Sequence, residues 1–150
     1  MAQSLSKILL HVVFSTKYRA DLIPDECKTE LHGYLASSCR AMGSHAYRVG
    51  GTRNHIHIAC RLPRTLAVSE LLEGIKSPSS RWMKTRSPRC SSFEWQRGYG
   101  AFSLGQSQLD TLIAYIDNQE QHHQVVGFED EMREHSRRYD IDCDEVRVWD

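Results

Sequence analysis

The run Asn54-His55-Ile56-His57-Ile58-Ala59-Cys60-Arg61-Leu62 sets the strongest limit on how this 150-residue chain can fold. Its apolar content and two-residue period predict a β-strand, in which side chains two apart share a face. Ile56, Ile58 and Cys60 then form a core stripe, and His55 and His57 stand side by side on the opposite face. Two adjacent imidazoles are poor core material and a good start to a metal site, since neutral imidazole nitrogen is a common metal ligand. The strand therefore has one apolar side and one side suited to an ion.

The elements around it follow from the same patterning. Leu5 to Ser15 reads as a first strand, and Tyr18 to Ile23 as a polar connection. Pro24, with Asp25 and Glu26 behind it, opens a helix whose stripe is Cys27, Leu31, Tyr34, Leu35 and Ser38; Gly43 stops it. Ala46 to Gly50 predicts a short strand, joined to the histidine strand (54–62) by a turn containing Gly50, Gly51 and Asn54. After Pro63, a second helix carries Val68, Leu71, Leu72, Ile75, Ser79 and Trp82 on one face, with Pro78 expected to kink or restart it. A loop over 87–92 leads to a strand over 93–104, in which Gly98 and Gly100 suggest a bulge or close backbone approach. Ser107 and Asp110 look like an N-cap and its carboxylate, opening a helix from Gln108 to about Gln124. A short helix near Asp130 to Arg138 and an extended end follow.

The order β-α-β-β-α-β is that of the α+β ferredoxin-like fold, an antiparallel sheet with helices on one face, here with an extra C-terminal helix. The length suits one domain over 1–150, with a core over about 5–125 and an acidic tail over 126–150.

Nineteen basic and nineteen acidic residues cancel, so no global field drives the chain toward nucleic acid. The charge is uneven, however. Lys76, Arg81, Lys84, Arg86, Arg89 and Arg97, with Arg64 nearby, face only Glu94 in the middle of the chain, whereas the stretch from Glu129 to Asp150 is acidic. A basic middle can hold a polyanion locally. Cys27, Cys39, Cys60, Cys90 and Cys143 are odd in number and never spaced C-x-x-C, which argues against a disulfide scaffold or zinc ribbon and for a reducing cytoplasm. The apolar stretch Ile8 to Phe14 is too short to span a membrane and is followed by no cleavage pattern.

In the last long helix Leu109, Leu112, Ile113 and Ile116 define the buried stripe. Tyr115, Gln119 and His122 share a second face about 100° round from it. Tyr115 is thus offset from the core, one turn from a side chain with a metal-competent oxygen.

Several segments together carry a family likeness: LLHVVFSTKYR at 9–19, NHIHIACRLP at 54–63, IKSPSSRWMK at 75–84 and FEWQRGYGAFSLGQSQLDTLIAYIDNQEQHH at 93–123. On these the chain resembles the single-tyrosine HUH transposases of the simplest insertion sequences (IS200-like), with the REP-associated tyrosine transposases as relatives. The last segment is the most specific, because it joins an aromatic-glycine strand, a capped helix and Y-I-x-N-Q-x-x-H-H in one register. One departure stands out: the family usually has aspartate before the first histidine, and this chain has Asn54. An amide can still accept from the neighbouring ring N–H, but it supplies less charge to a metal.

The resemblance implies a DNA transposase that cleaves and rejoins single strands through a covalent 5′-phosphotyrosine. It implies His55, His57 and Gln119 as ligands of Mg2+ or Mn2+, Tyr115 as the nucleophile, and Asn54 and His122 as supporting residues. Lys17, Arg19, Lys76, Arg81, Lys84 and Arg97 are candidates for phosphate contacts. The implied partners are single-stranded DNA, in the form of hairpin ends of the chain's own element, and a second copy of the chain in a homodimer. The helix of Tyr115 would complete either its own histidine site or its partner's. His11, inside the first strand, reads instead as a satisfied core histidine. Trp82, Trp95 and Tyr99 fit either base stacking or the core, with the core favoured for Trp82.

Two other H-x-H chemistries fail on one residue. A histidine-triad nucleotide hydrolase and a two-zinc hydrolase both need a ligand at position 59, which is alanine. The alternative of another class is a DNA- or RNA-binding protein of the same fold without catalysis.

Overall fold

The computed structural model describes residues 2–123 and 126–142. Four strands, β1 (Ile8–Ser15), β2 (His45–Gly51), β3 (His55–Leu62) and β4 (Gly100–Leu104), form one sheet in the order β2-β3-β1-β4. Every pairing is antiparallel. With α1 (Asp25–Ala41) after β1 and α2 (Val68–Lys84) after β3, this is the ferredoxin-like arrangement that the element order predicts.

The pleat sorts the side chains into two cores. Leu10, Val12 and Phe14 of β1 and Ile56, Ile58 and Cys60 of β3 join the main cluster with α1 and α2. On α1 the buried residues are Cys27, Leu31, Leu35 and Cys39, one per turn, and Gly43 in the left-handed region (φ 80°) follows its end. On α2 they are Leu71, Leu72, Ile75, Ser79 and Met83. Trp82 is half-buried beside them, stacked on Tyr34 with the ring centroids 4.8 Å apart. Trp95 is in the core, edge-on to Phe14 and Phe93, and its Nε1–H donates to Ser79 Oγ at 2.9 Å.

The opposite face, which carries His11, Val13, His55, His57 and Ala59, is covered by α3 (Leu109–Asp117), α4 (Gln119–His122) and α5 (Phe128–Arg138). Leu109 and Ile116 pack on Leu9 and Ala59, and Phe128 and Met132 on Val13 and Phe102. The close approach of α3 depends on Gly50 in β2, where a Cβ would meet Ile116 Cγ2 at 2.6 Å and its carbonyl oxygen at 3.1 Å.

Four local expectations are corrected. Pro78 does not restart the helix: α2 runs as one helix through it, with buried side chains on both sides holding it against the sheet. Only Gly100–Leu104 of the segment 93–104 is strand. Upstream, a single bridge joins Thr16 and Trp95, and the Gln96 side chain takes the Ser15 N–H at 2.7 Å in place of a ladder bond. Ser107 makes no cap; the Gln108 side chain instead accepts from Gly105 N–H at 2.9 Å. The last long helix is two pieces, broken at Asn118 (φ −96°, ψ 12°) between Tyr115 and Gln119. The expected extended end, Cys143 included, lies outside the described residues.

Candidate active site

β3 and β1 supply the floor of the site. The register sets His57 opposite Val13 and His55 opposite Ser15, with His11 diagonally beside His57 on the same face. His11 Nε2 lies 2.7 Å from His57 Nδ1, so the buried His11 is a hydrogen-bonded neighbour that orients the His57 ring. His55 Nδ1 lies 2.9 Å from Asn54 Oδ1 and 2.9 Å from Thr52 Oγ1. Asn54 is held in turn by its Nδ2 donating to the Arg19 carbonyl at 3.3 Å.

The helices bring the other groups onto this floor. Gln119 is buried, with Oε1 2.9 Å from His55 Nε2. Tyr115 is half-buried, its ring edge-on to His57 with the centroids 5.6 Å apart. His123 packs 4.3 Å from His55, and the half-buried His122 lies 5.4 Å from Tyr115, centroid to centroid. Tyr115, His55, His57, Gln119 and His122 are therefore assembled in one place, within one chain.

The centre of the cluster is a residue that the sequence reading missed. Glu131 of α5 is buried and reaches between the histidines and the tyrosine. Its Oε1 lies 3.0 Å from His57 Nε2 and 3.2 Å from His123 Nε2, and its Oε2 accepts from Gln119 Nε2 at 3.1 Å and from the Tyr115 hydroxyl. The signal was available: Phe128, Glu131, Met132 and His135 are the buried positions of α5, spaced i, i+3, i+4, i+7. A carboxylate and an imidazole on the core stripe of a helix call for a reason.

Burial dominates the electrostatics. It lowers His55 to about 3 and, with the His57 imidazole alongside, lowers His11 as well, so His55 and His11 are neutral near pH 7. It pushes the Tyr115 phenol above its usual value, and the Glu131 carboxylate adds to that. For Glu131, burial alone would raise the carboxyl, but the imidazoles of His123 and His57 and the Tyr115 hydroxyl together hold it well below the usual range.

The donor set fits a divalent ion. One nitrogen each from His55, His57 and His123 and one Glu131 oxygen all lie within 4.8 Å of one another. Ligand bonds to such ions are about 2.0–2.2 Å, so donors on opposite sides of one ion stand about 4 Å apart. His123 Nε2 is also buried without a hydrogen bond, 3.2 Å from Glu131 Oε1 but off the line of one.

The basic candidates other than Arg19 lie elsewhere. Lys76, Arg81 and Lys84 are on α2, across the sheet from the histidines. The Lys76 ammonium donates to the carbonyls of Gln96, Arg97 and Gly98, tying down the loop before β4, and burial lowers it to about 8. Lys84 bonds Ser80 at 3.1 Å, and Arg81 and Arg97 are exposed. Lys17 pairs with Glu94 at 3.0 Å. Arg19, at the rim of the site, pairs with Glu129 of α5 at 2.7 Å.

The sequence model of the IS200-like transposase family matches residues 4–119. The chain belongs to this family. The match takes in β1 through Gln119 and leaves α5 outside. Two solved structures share the fold of this transposase family member. One is a Deinococcus radiodurans R1 protein assigned as a transposase, with a TM-score of 0.61 and 19% identity over 79% of this chain and 98% of the other. The second is a REP-associated tyrosine transposase bound to a REP hairpin, with a TM-score of 0.59 and 14% identity over 84% of this chain and 74% of the other. No curated protein matches the chain.

Proposed function

We propose that this transposase cleaves and rejoins single-stranded DNA with Tyr115 as nucleophile and a divalent ion at His55, His57 and Gln119. The observation that carries the reading is the convergence of Tyr115 and Gln119 with the histidine pair in one buried cluster. The Tyr115 oxygen attacks the scissile phosphorus, a P–O bond forms to the tyrosine, and the bond to the 3′ oxygen breaks. The tyrosine's proton is lost and the departing oxygen leaves as a 3′-hydroxyl. Attack by another 3′-hydroxyl on the 5′-phosphotyrosine reverses the exchange and joins strands.

Bound Mg2+ or Mn2+ would supply Lewis acidity at the phosphate. The need for it is plain in the protein's own groups, since burial leaves the phenol a weaker acid than usual. His55 and His57 offer ring nitrogens, His11 and Asn54 orient those rings, and His122 flanks the nucleophile. A cleft of about 880 Å3 between α3 and α5, lined by Tyr115, Leu112, His135 and Arg138 among others, gives a strand room beside the hydroxyl. Hairpin DNA from the flanks of its own element is the substrate we assign, and the hairpin seen on the REP-associated relative supports it. Arg19, Arg81, Lys84 and Arg97 remain the candidates for phosphate contacts, and a homodimer the candidate assembly. Among the described residues no helix is long and apolar enough to cross a membrane. The scattered cysteines, never spaced C-x-x-C, are the ground on which we assign a reducing cytoplasm.

The test is to incubate the protein with labelled single-stranded DNA carrying the flanking hairpin, with Mn2+. A covalent protein–DNA adduct is expected, absent in Tyr115→Phe. Binding with no adduct under any divalent ion would leave a binding protein of the same fold, and an adduct in Tyr115→Phe would move the nucleophile elsewhere.

A further inference from the structure

We propose that Glu131 is a ligand of the ion, so that metal binding and the docking of α5 are one event. The proposal rests on the metal site put forward above and adds a ligand from a helix beyond the family match.

The two oxygens of the carboxylate have separate neighbours. Oε1 faces His57 Nε2 at 3.0 Å, His123 Nε2 at 3.2 Å and His55 Nε2 at 3.9 Å. Oε2 takes the Tyr115 hydroxyl and the Gln119 amide. One oxygen thus points at the space between three imidazole nitrogens while the other holds the nucleophile.

Hydrogen bonding around His55 also asks for a cation there. If Nδ1 carries the proton, it donates to Asn54 Oδ1, and bare Nε2 then faces Gln119 Oε1 at 2.9 Å, lone pair to lone pair. The Gln119 orientation is fixed by its Nε2 donating to Glu131, so the amide has no reason to flip. If Nε2 carries the proton instead, it donates to Gln119 Oε1 and the Thr52 hydroxyl can donate to Nδ1, but Asn54 Oδ1, fixed by Arg19, then faces that nitrogen at 2.9 Å with no proton of its own. A cation between Nε2 and the facing oxygens satisfies every group at once. The unbonded, buried His123 Nε2 points into the same space. Asn54 brings no charge to this centre, and Glu131 does.

The consequence for α5 is mechanical. Its apolar anchor on the sheet is small, Phe128 and Met132 against Val13 and Phe102. A metal bond from Glu131 would fasten the helix at its middle. Three imidazoles and a carboxylate also favour Mn2+ over Mg2+, which prefers oxygen and retains water.

The test uses the full chain without DNA. Mn2+ binding is measured by calorimetry for the wild type, Glu131→Gln, His55→Ala and Glu134→Gln, and hydrogen exchange of α5 amides is followed with and without Mn2+. Glu131→Gln is expected to weaken Mn2+ by more than about tenfold, a loss seen even for outer-shell partners. Glu134→Gln, on the exposed side of the same helix, should bind as the wild type does. In the wild type, which requires no variant to fold, Mn2+ should slow exchange in α5. Equal Mn2+ affinity in the wild type and Glu131→Gln, with loss in His55→Ala, would overturn this proposal and leave the metal site standing. Unchanged α5 exchange on Mn2+ binding would also overturn it. A wild type that binds no Mn2+ would overturn both.

Discussion

A divalent ion needs neutral imidazoles, and at His55 burial enforces that form more firmly than solvent would. The same burial has a cost that pH exposes. His11 and His55, lowered by burial, and His135, lowered to about 4, stay neutral in the folded chain, whereas in the unfolded chain they take up protons near pH 6.5. Below that pH the unfolded state binds more protons, so stability falls as pH drops from about 6.5 toward 4. Each histidine contributes up to about 1.4 kcal/mol per pH unit across that window. Urea unfolding followed by circular dichroism at pH 7.5, 6, 5 and 4.5 should show a midpoint that declines through this range; a flat profile would contradict the buried neutral assignment. Glu131 adds to the loss at the acid end, since its depressed carboxyl contributes stability that is present above the usual glutamate pKa and lost as pH falls below it.

Two interfaces matter at the scale of elements, one on each face of the sheet. On the α1–α2 face Trp95 holds the loop before β4 into the core through Phe14, Phe93 and Ser79. Trp95→Ala is expected to cost about 3–5 kcal/mol, read as a lowered urea midpoint, because it opens a cavity and leaves Ser79 without its donor. On the other face the spacing of α3 from β2 sets where Tyr115 lies. Gly50→Ala puts a methyl group 2.6 Å from Ile116 Cγ2, and Ile116 adjoins Tyr115 in sequence. The strain should cost about 1–3 kcal/mol, and the adduct rate should fall by more than that loss of folded protein explains. An adduct rate that tracks folded fraction alone would mean that α3 does not position the tyrosine. The break at Asn118 serves the same end, turning Gln119 inward toward His55 while Tyr115 keeps its place on the straight part of α3.

For the whole molecule the question is which chain completes which site. α3 packs on its own sheet, so the tyrosine and the histidines of one chain form the cluster. A mixture of Tyr115→Phe and His57→Ala proteins should therefore form no DNA adduct. Recovery of adduct in the mixture would show that α3 is exchanged within a homodimer, the other arrangement that the family resemblance allows.

The sequence alone determined the two-faced strand, the ferredoxin-like order and the buried stripe of the Tyr115 helix, because these are written in local periods of two and about 3.6 residues. It could not show that α2 would continue through Pro78 as one helix, since long-range packing decided that. Nor could it show that α5, with apolar positions few and charges many, would fold back on the histidine face. Glu131 and His135 owe their neighbours to that return, and only the tertiary structure decided it. A residue in the tail acquires its chemistry from groups distant in sequence, and no local pattern records which charges will be brought into one dry place.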